Sequence, residues 1–152
     1  MRRLLPVLLV VVAALLCSSC GSDNKQANDY VKAVNTAQNS FASTFDRLSS
    51  RITSKSTPAQ DQETLDGFRA AVNKVVGDLR AVEVPSKVKG LHNELVGELS
   101  AYGTEIDRAK AAFADGDPQT IVKAQTRLES AVTRVSTQIN DTIEAINKKL
   151  RA

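Results

Sequence analysis

Catalysis and metal binding need particular side chains at particular spacings, and this 152-residue chain supplies few of them. His92 is its only histidine. It falls in an apolar helical row that also holds Tyr102, which makes His92 and Tyr102 the one pair of positions suited to bordering a small-ligand or metal pocket. The plainer alternative is a seam histidine satisfied by a neighbouring group. A di-metal bundle of the ferritin type needs Glu-x-x-His on two helices with further inward carboxylates. The chain contains no Glu-x-x-His and no Cys/His cluster, so neither a metal nor a cofactor is expected. Asp61 with Glu63, and Glu105 with Asp107, are spaced by two and point to different sides of a helix. Serines and threonines are plentiful but lack a Gly-x-Ser-x-Gly elbow. The glycines inside the helical rows stand singly and form no phosphate-binding loop. With no catalytic constellation, the chain is expected not to be an enzyme.

The two cysteines carry chemistry of another kind. Met1-Arg2-Arg3 supplies a positive end, and Leu4 to Leu16 is an uncharged run of 13 residues ending at Cys17-Ser18-Ser19-Cys20-Gly21. A helix that spans a bilayer needs roughly 20 apolar residues, so this run has the length of an export-signal core and not of a permanent span. A redox Cys-x-x-Cys would need a strand before it and a helix after it to lower a thiol pKa, and this context offers neither. Small residues ahead of Cys20, at the end of the apolar run, resemble the lipobox of bacterial lipoproteins, although Cys17 stands where that family most often has Leu. The resemblance implies cleavage after residue 19 and lipidation of Cys20, the alternative being ordinary signal cleavage that leaves the cysteine unmodified. It also implies that the protein is held on the extracytoplasmic face of the cell membrane. On that basis residues 1–19 are a signal peptide, residues 20–26 the lipidated N-terminus with a short polar tether, and residues 27–152 the folded domain. A tether of six residues reaches at most about 20 Å.

The leader holds two arginines and no acid, so without it Lys+Arg falls from 20 to 18 against 17 Asp+Glu, a balance of +1. That argues against a nucleic-acid partner, which asks for a concentrated basic surface. The 133 residues after the leader suffice for a single domain that buries around two-thirds of its unfolded surface. Four Phe, two Tyr and no Trp leave little for stacking on bases or sugars.

Four amphipathic rows fill that domain. Tyr30, Val34, Ala37, Phe41, Phe45, Leu48 and Ile52 predict a first helix over about 27–53. Thr57-Pro58-Ala59-Gln60 spells a capping box with Pro at N1 and opens a second helix, whose row runs Leu65, Phe68, Val72, Val75, Leu79 and Val82 before Val84-Pro85 stops it. A third row alternates four and three from Val88 through His92, Leu95, Leu99, Tyr102, Ile106 and Ala109 to Phe113. Gly116 then closes one helix and Asp117-Pro118 opens the last, which carries Leu128, Val132, Val135, Ile139, Ile143, Ile146 and Leu150. Connections this short lead to an all-α fold, an antiparallel up-down-up-down four-helix bundle. The segment from Pro85 to Leu95, with the Gly116-Asp117 break, resembles small helical lipoproteins of high-GC Gram-positive bacteria. That resemblance supports fold and location and implies no activity.

The expected function is therefore a lipid-anchored cell-envelope lipoprotein, a non-catalytic interaction or structural module with an envelope protein as possible partner. The alternative is a helical bundle that binds a small ligand or metal in a cavity near His92 and Tyr102. An up-down-up-down course gathers residues 21–33, 82–94 and 142–152 at the tethered end, with seven basic against five acidic residues. Among them Lys148, Lys149 and Arg151 are candidate contacts to an anionic membrane surface. The plainer role for these three is to complement a helix C-terminal dipole.

Overall fold

The computed structural model describes residues 22–51 and 55–151. Among these the protein is all-helical: α1 (Ser22–Ser49), α2 (Pro58–Arg80), a single 3₁₀ turn (Ser86–Val88), α3 (Lys89–Asp115) and α4 (Pro118–Arg151). No strand occurs among the described residues.

The helix boundaries follow local chemistry. Thr57 Oγ1 accepts from the Gln60 amide at 3.3 Å while the Gln60 side chain accepts from the Thr57 amide at 2.8 Å. Two donors that the helix start would otherwise leave orphaned are thus satisfied, with Pro58 in the first turn. At the other punctuated boundary α3 ends on Gly116, whose φ of 78° lies where only glycine sits without steric cost. Asp117 Oδ2 then accepts from the Thr120 amide at 2.7 Å and opens α4. These hydrogen bonds hold the Asp117 carboxyl below its usual range.

Two boundaries differ from the sequence expectation. Ser22–Gln26, read as a non-helical tether, belongs to α1. Buried Tyr30 pins that first part of the helix and Gln26 Nε2 donates to Glu83 at 3.2 Å, so tertiary contacts extend a segment whose own propensity is weak. At its far end α1 stops at Ser49 instead of running on to Thr53, and Ile52 lies outside the described residues. Cys20 and the whole leader lie outside them too.

The core is the union of the four rows. Tyr30, Leu79, Leu95, Ile106, Val72 and Val88 are the largest side chains that are almost fully buried. Packing is extensive between α1 and α2, between α2 and α3, and most of all between α3 and α4. Arg69 pairs with Asp107 at 2.9 Å across α2 and α3, Lys110 with Asp66 across the same two helices, and Arg127 with Glu105 at 2.9 Å across α3 and α4. Apart from Glu105, which is largely covered, these side chains are partly or fully exposed, where each pair adds little to stability and reports register more than it holds it.

Sequence alone leaves open which helix glycines permit close approach. A Cβ on Gly67 would stand 2.8 Å from Leu48 Cδ2, and one on Gly103 would stand 2.6 Å from Arg69 Nη1 and 3.2 Å from Val72 Cγ1. Gly77 and Gly97 face open space. Gly97→Ala is accordingly expected to raise stability by about 1 kcal/mol through helix propensity alone, while Gly67→Ala should lower it by displacing buried Leu48. Chemical denaturation of the two variants checks both signs.

Candidate ligand groove between the first and last helices

The apolar rows of α1 and α4 have the same spacing, yet the two helices meet differently from the others. Neither is packed along its length on the other as each is on its sequence neighbour. In the outer half of α1 the row continues as Phe41 and Phe45, whose rings are 6.0 Å apart, and Phe45 leans on Phe68 of α2 at 4.9 Å. Both phenylalanines are only partly buried, and both line the space that faces α4. On α4, Val132 and Ile139 are likewise half-buried while Val135 is buried.

Between these faces runs a groove of about 350 Å³ whose floor reaches Leu79 of α2 and Leu95 and Leu99 of α3, so all four helices contribute walls. Tyr102 is also part of the lining, and burial pushes its phenol pKa well up, so it remains a neutral hydroxyl. The remaining polar lining is Gln38, Asp46, Ser49, Ser50 and Ser136. Gln38 is distinctive, because its Oε1 is buried without a hydrogen-bond partner. An unmet buried acceptor costs about 1–3 kcal/mol, so it marks a place where a donor is missing. The volume falls in the range of small-molecule pockets, about 300–1,000 Å³, and an apolar wall with a few polar groups is their usual make-up. Two larger depressions, of about 440 and 630 Å³, lie on the α1–α2 face. Their walls carry solvated charges such as Arg47, Glu63 and Lys74, or Lys25 and Asp29, and so lack that character.

His92 is elsewhere. Its Nδ1 lies 3.1 Å from the Tyr30 hydroxyl, with the rings edge to face at 5.7 Å, and the ring also hydrogen-bonds the Leu79 carbonyl. A neutral imidazole protonated on Nε2 meets both partners, accepting from Tyr30 and donating to Leu79. His92 thereby ties the starts of α1 and α3 to the end of α2. Tyr102 is ten residues further along α3, about 15 Å away, so the expected convergence of His92 and Tyr102 on one cavity does not occur. Of the two, only Tyr102 belongs to the groove.

The His92 arrangement has a pH signature. Burial lowers the His92 pKa below its ordinary 6.5 and outweighs the opposing bond to Leu79, while burial raises the Tyr30 hydroxyl to about 12. Below pH 6.5 the unfolded chain takes up a proton that the folded chain still refuses, so stability falls as pH drops through that value. His92→Gln is expected to flatten this limb in denaturation measured from pH 7 to 5. Tyr30→Phe should cost about 1–3 kcal/mol at pH 7, because it leaves Nδ1 buried and unmet.

Lys148, Lys149 and Arg151 are exposed in the last turn of α4. Lys87 Nζ donates to the Leu150 carbonyl at 3.2 Å, which ties that turn to the segment between α2 and α3. Among the described residues no group of three His, Cys, Asp or Glu side chains could hold a metal ion, and no helix is long and apolar enough to cross a membrane. Searches against known proteins return no matching family model, no matching curated protein and no matching solved structure.

Proposed function

We propose that this protein is an exported lipoprotein, cut before Cys20 and held by lipid on that cysteine at the extracytoplasmic face of the cell membrane. There an antiparallel up-down-up-down bundle acts as a non-catalytic binding module. The up-down course draws support from paired contacts. Leu48, late in α1, meets Gly67 early in α2; Asp66, early in α2, meets Lys110 late in α3; and Glu105, late in α3, meets Arg127 early in α4.

The observation that carries the membrane reading is the set of contacts at one end of the domain. Gln26 bonds Glu83 and Lys87 bonds the Leu150 carbonyl, so the start of α1, the α2–α3 connection and the end of α4 lie together. Exposed Lys148, Lys149 and Arg151 therefore share an end with the residues that directly follow Cys20. Lysines held against anionic lipid add about 1 kcal/mol each within a Debye length. In liposome flotation the lipid-free chain from Gly21 onward, without the apolar leader, should bind anionic vesicles weakly and release in salt. Changing Lys148, Lys149 and Arg151 to Gln should reduce that binding. Equal flotation with neutral vesicles would return the three residues to the plainer role of complementing the α4 dipole.

Within this reading the module serves either an envelope protein partner or a small ligand. The groove favours the ligand, and it moves the site from His92 to the α1–α4 seam around Tyr102. Substituting Tyr102 should then weaken ligand binding, whereas His92→Gln should leave it unchanged and alter only stability.

A further inference from the structure

We propose that the α1–α4 groove holds a single acyl chain bearing an uncharged, hydroxylated head, the chemistry of a monoacylglycerol. This rests on the ligand-binding reading of the groove and is independent of the lipid on Cys20.

Shape selects the occupant first. Along α1 the groove extends from Gln38 to Ser50, twelve residues or about 18 Å of helix. On α3 and α4 the walls run for about 10 Å, from Leu95 to Tyr102 and from Val132 to Ile139, so a volume of about 350 Å³ averages about 20–35 Å² in cross-section, room for one hydrocarbon chain and little more. A partner helix is about 10 Å across and does not enter such a slot. A second copy of this chain could cover the mouth but would not fill the narrow space beneath it. The walls are mainly aliphatic and aromatic side chains, which gain from burying methylenes, and their polar groups are too few to satisfy a sugar or nucleotide along its length.

Charge and hydrogen bonding then select the head. No Lys, Arg or His lines the groove, and its one carboxylate, Asp46, is exposed. An anionic head such as a free fatty acid would meet no counter-charge and would face Asp46. The unmet Oε1 of Gln38 asks for a donor, which a glycerol hydroxyl supplies and a carboxylate or a plain methyl ester does not.

The test uses the full chain and monopalmitoylglycerol carrying a diazirine in its acyl chain, with photocrosslinks mapped by peptide mass spectrometry. Crosslinks are expected at Leu99, Tyr102 and Val135. Competition by decanoyl-, lauroyl-, myristoyl- and palmitoylglycerol should strengthen about fourfold per methylene until the groove is full and then level off. Palmitate should compete about tenfold less well, and Gln38→Leu should reduce that preference by weakening the glycerol ester while Asp46 still disfavours the carboxylate. Val135→Trp, which fills the groove, should cut crosslinking at least tenfold with helicity unchanged. Ile139→Trp, at a half-buried wall position, serves the same purpose if the first variant misfolds. Crosslinking that ignores both tryptophan variants and never levels with chain length overturns the groove as a binding site. Chain-length dependence with equal competition by palmitate overturns the hydroxylated head while leaving the groove standing.

Discussion

Ile106→Ala should lower the stability of the folded domain by about 2–5 kcal/mol, the range for emptying a fully enclosed aliphatic site. Ile106 is 0% exposed, on the middle of α3, the helix with the most buried residues on its face and packed on both α2 and α4. The void it leaves is closed on all sides, so relaxation recovers little of the lost contact energy. The informative comparison is Ile139→Ala. From its place in the α4 row Ile139 reads as core of the same kind, but it is half-buried and lines the groove. Its truncation enlarges a space that already exists, and the loss should fall clearly below that of Ile106→Ala. Val122→Ala, at a side chain 60% exposed, should be near neutral. Urea denaturation of the three variants would order them in this way. Equal losses at Ile106 and Ile139 would mean that the α1–α4 seam is closed.

Cys20→Ala carries the other large effect. Two acyl chains on one cysteine anchor a protein stably where a single chain is marginal. Without lipid there, the contact proposed for the basic end of the described residues, Lys148, Lys149 and Arg151, is weak and ordinary salt screens it. Fractionation should therefore move the variant from the membrane pellet to the soluble fraction almost completely, and added salt should complete the release. His92→Gln, which changes only an internal tie, should leave the distribution as it was.

What a single sequence reveals about this fold is its punctuation and its faces. Thr57-Pro58-Ala59-Gln60 and Gly116-Asp117-Pro118 state their helix boundaries because caps act through neighbours in the chain, and both are realised with the expected hydrogen bonds. The third apolar row likewise marks a buried face, with every position from Val88 to Ala109 covered. The start of α1 was not legible. Ser22–Gln26 has no apolar row, and it is helical through Tyr30 and the bond from Gln26 to Glu83, 57 residues away.

The site was harder to read for the same reason. Spacing tells which side of a helix is apolar and says nothing of how closely two apolar sides meet. The rows of α1 and α4 look like closed core, yet Phe45 packs on Phe68 of α2 and a groove lined by Phe41, Phe45, Val132 and Ile139 is left between them. Gln38 sits beside that row as an ordinary polar helix residue, and only its three-dimensional surroundings leave its oxygen unmet. For His92 the sequence indicates a buried seam position but not its partner, since Tyr30 lies 62 residues earlier. The one sign in the sequence is that Tyr30 opens the first row and His92 follows the opening of the third.

The measurement that bears most directly on the account is the intact mass of the protein extracted from its native membrane. The expected result is a chain that has lost residues 1–19 and carries a diacylglyceryl group on Cys20, with or without a further acyl chain on its amine. A chain that retains residues 1–19, or one that begins at Cys20 with a free thiol, would contradict it.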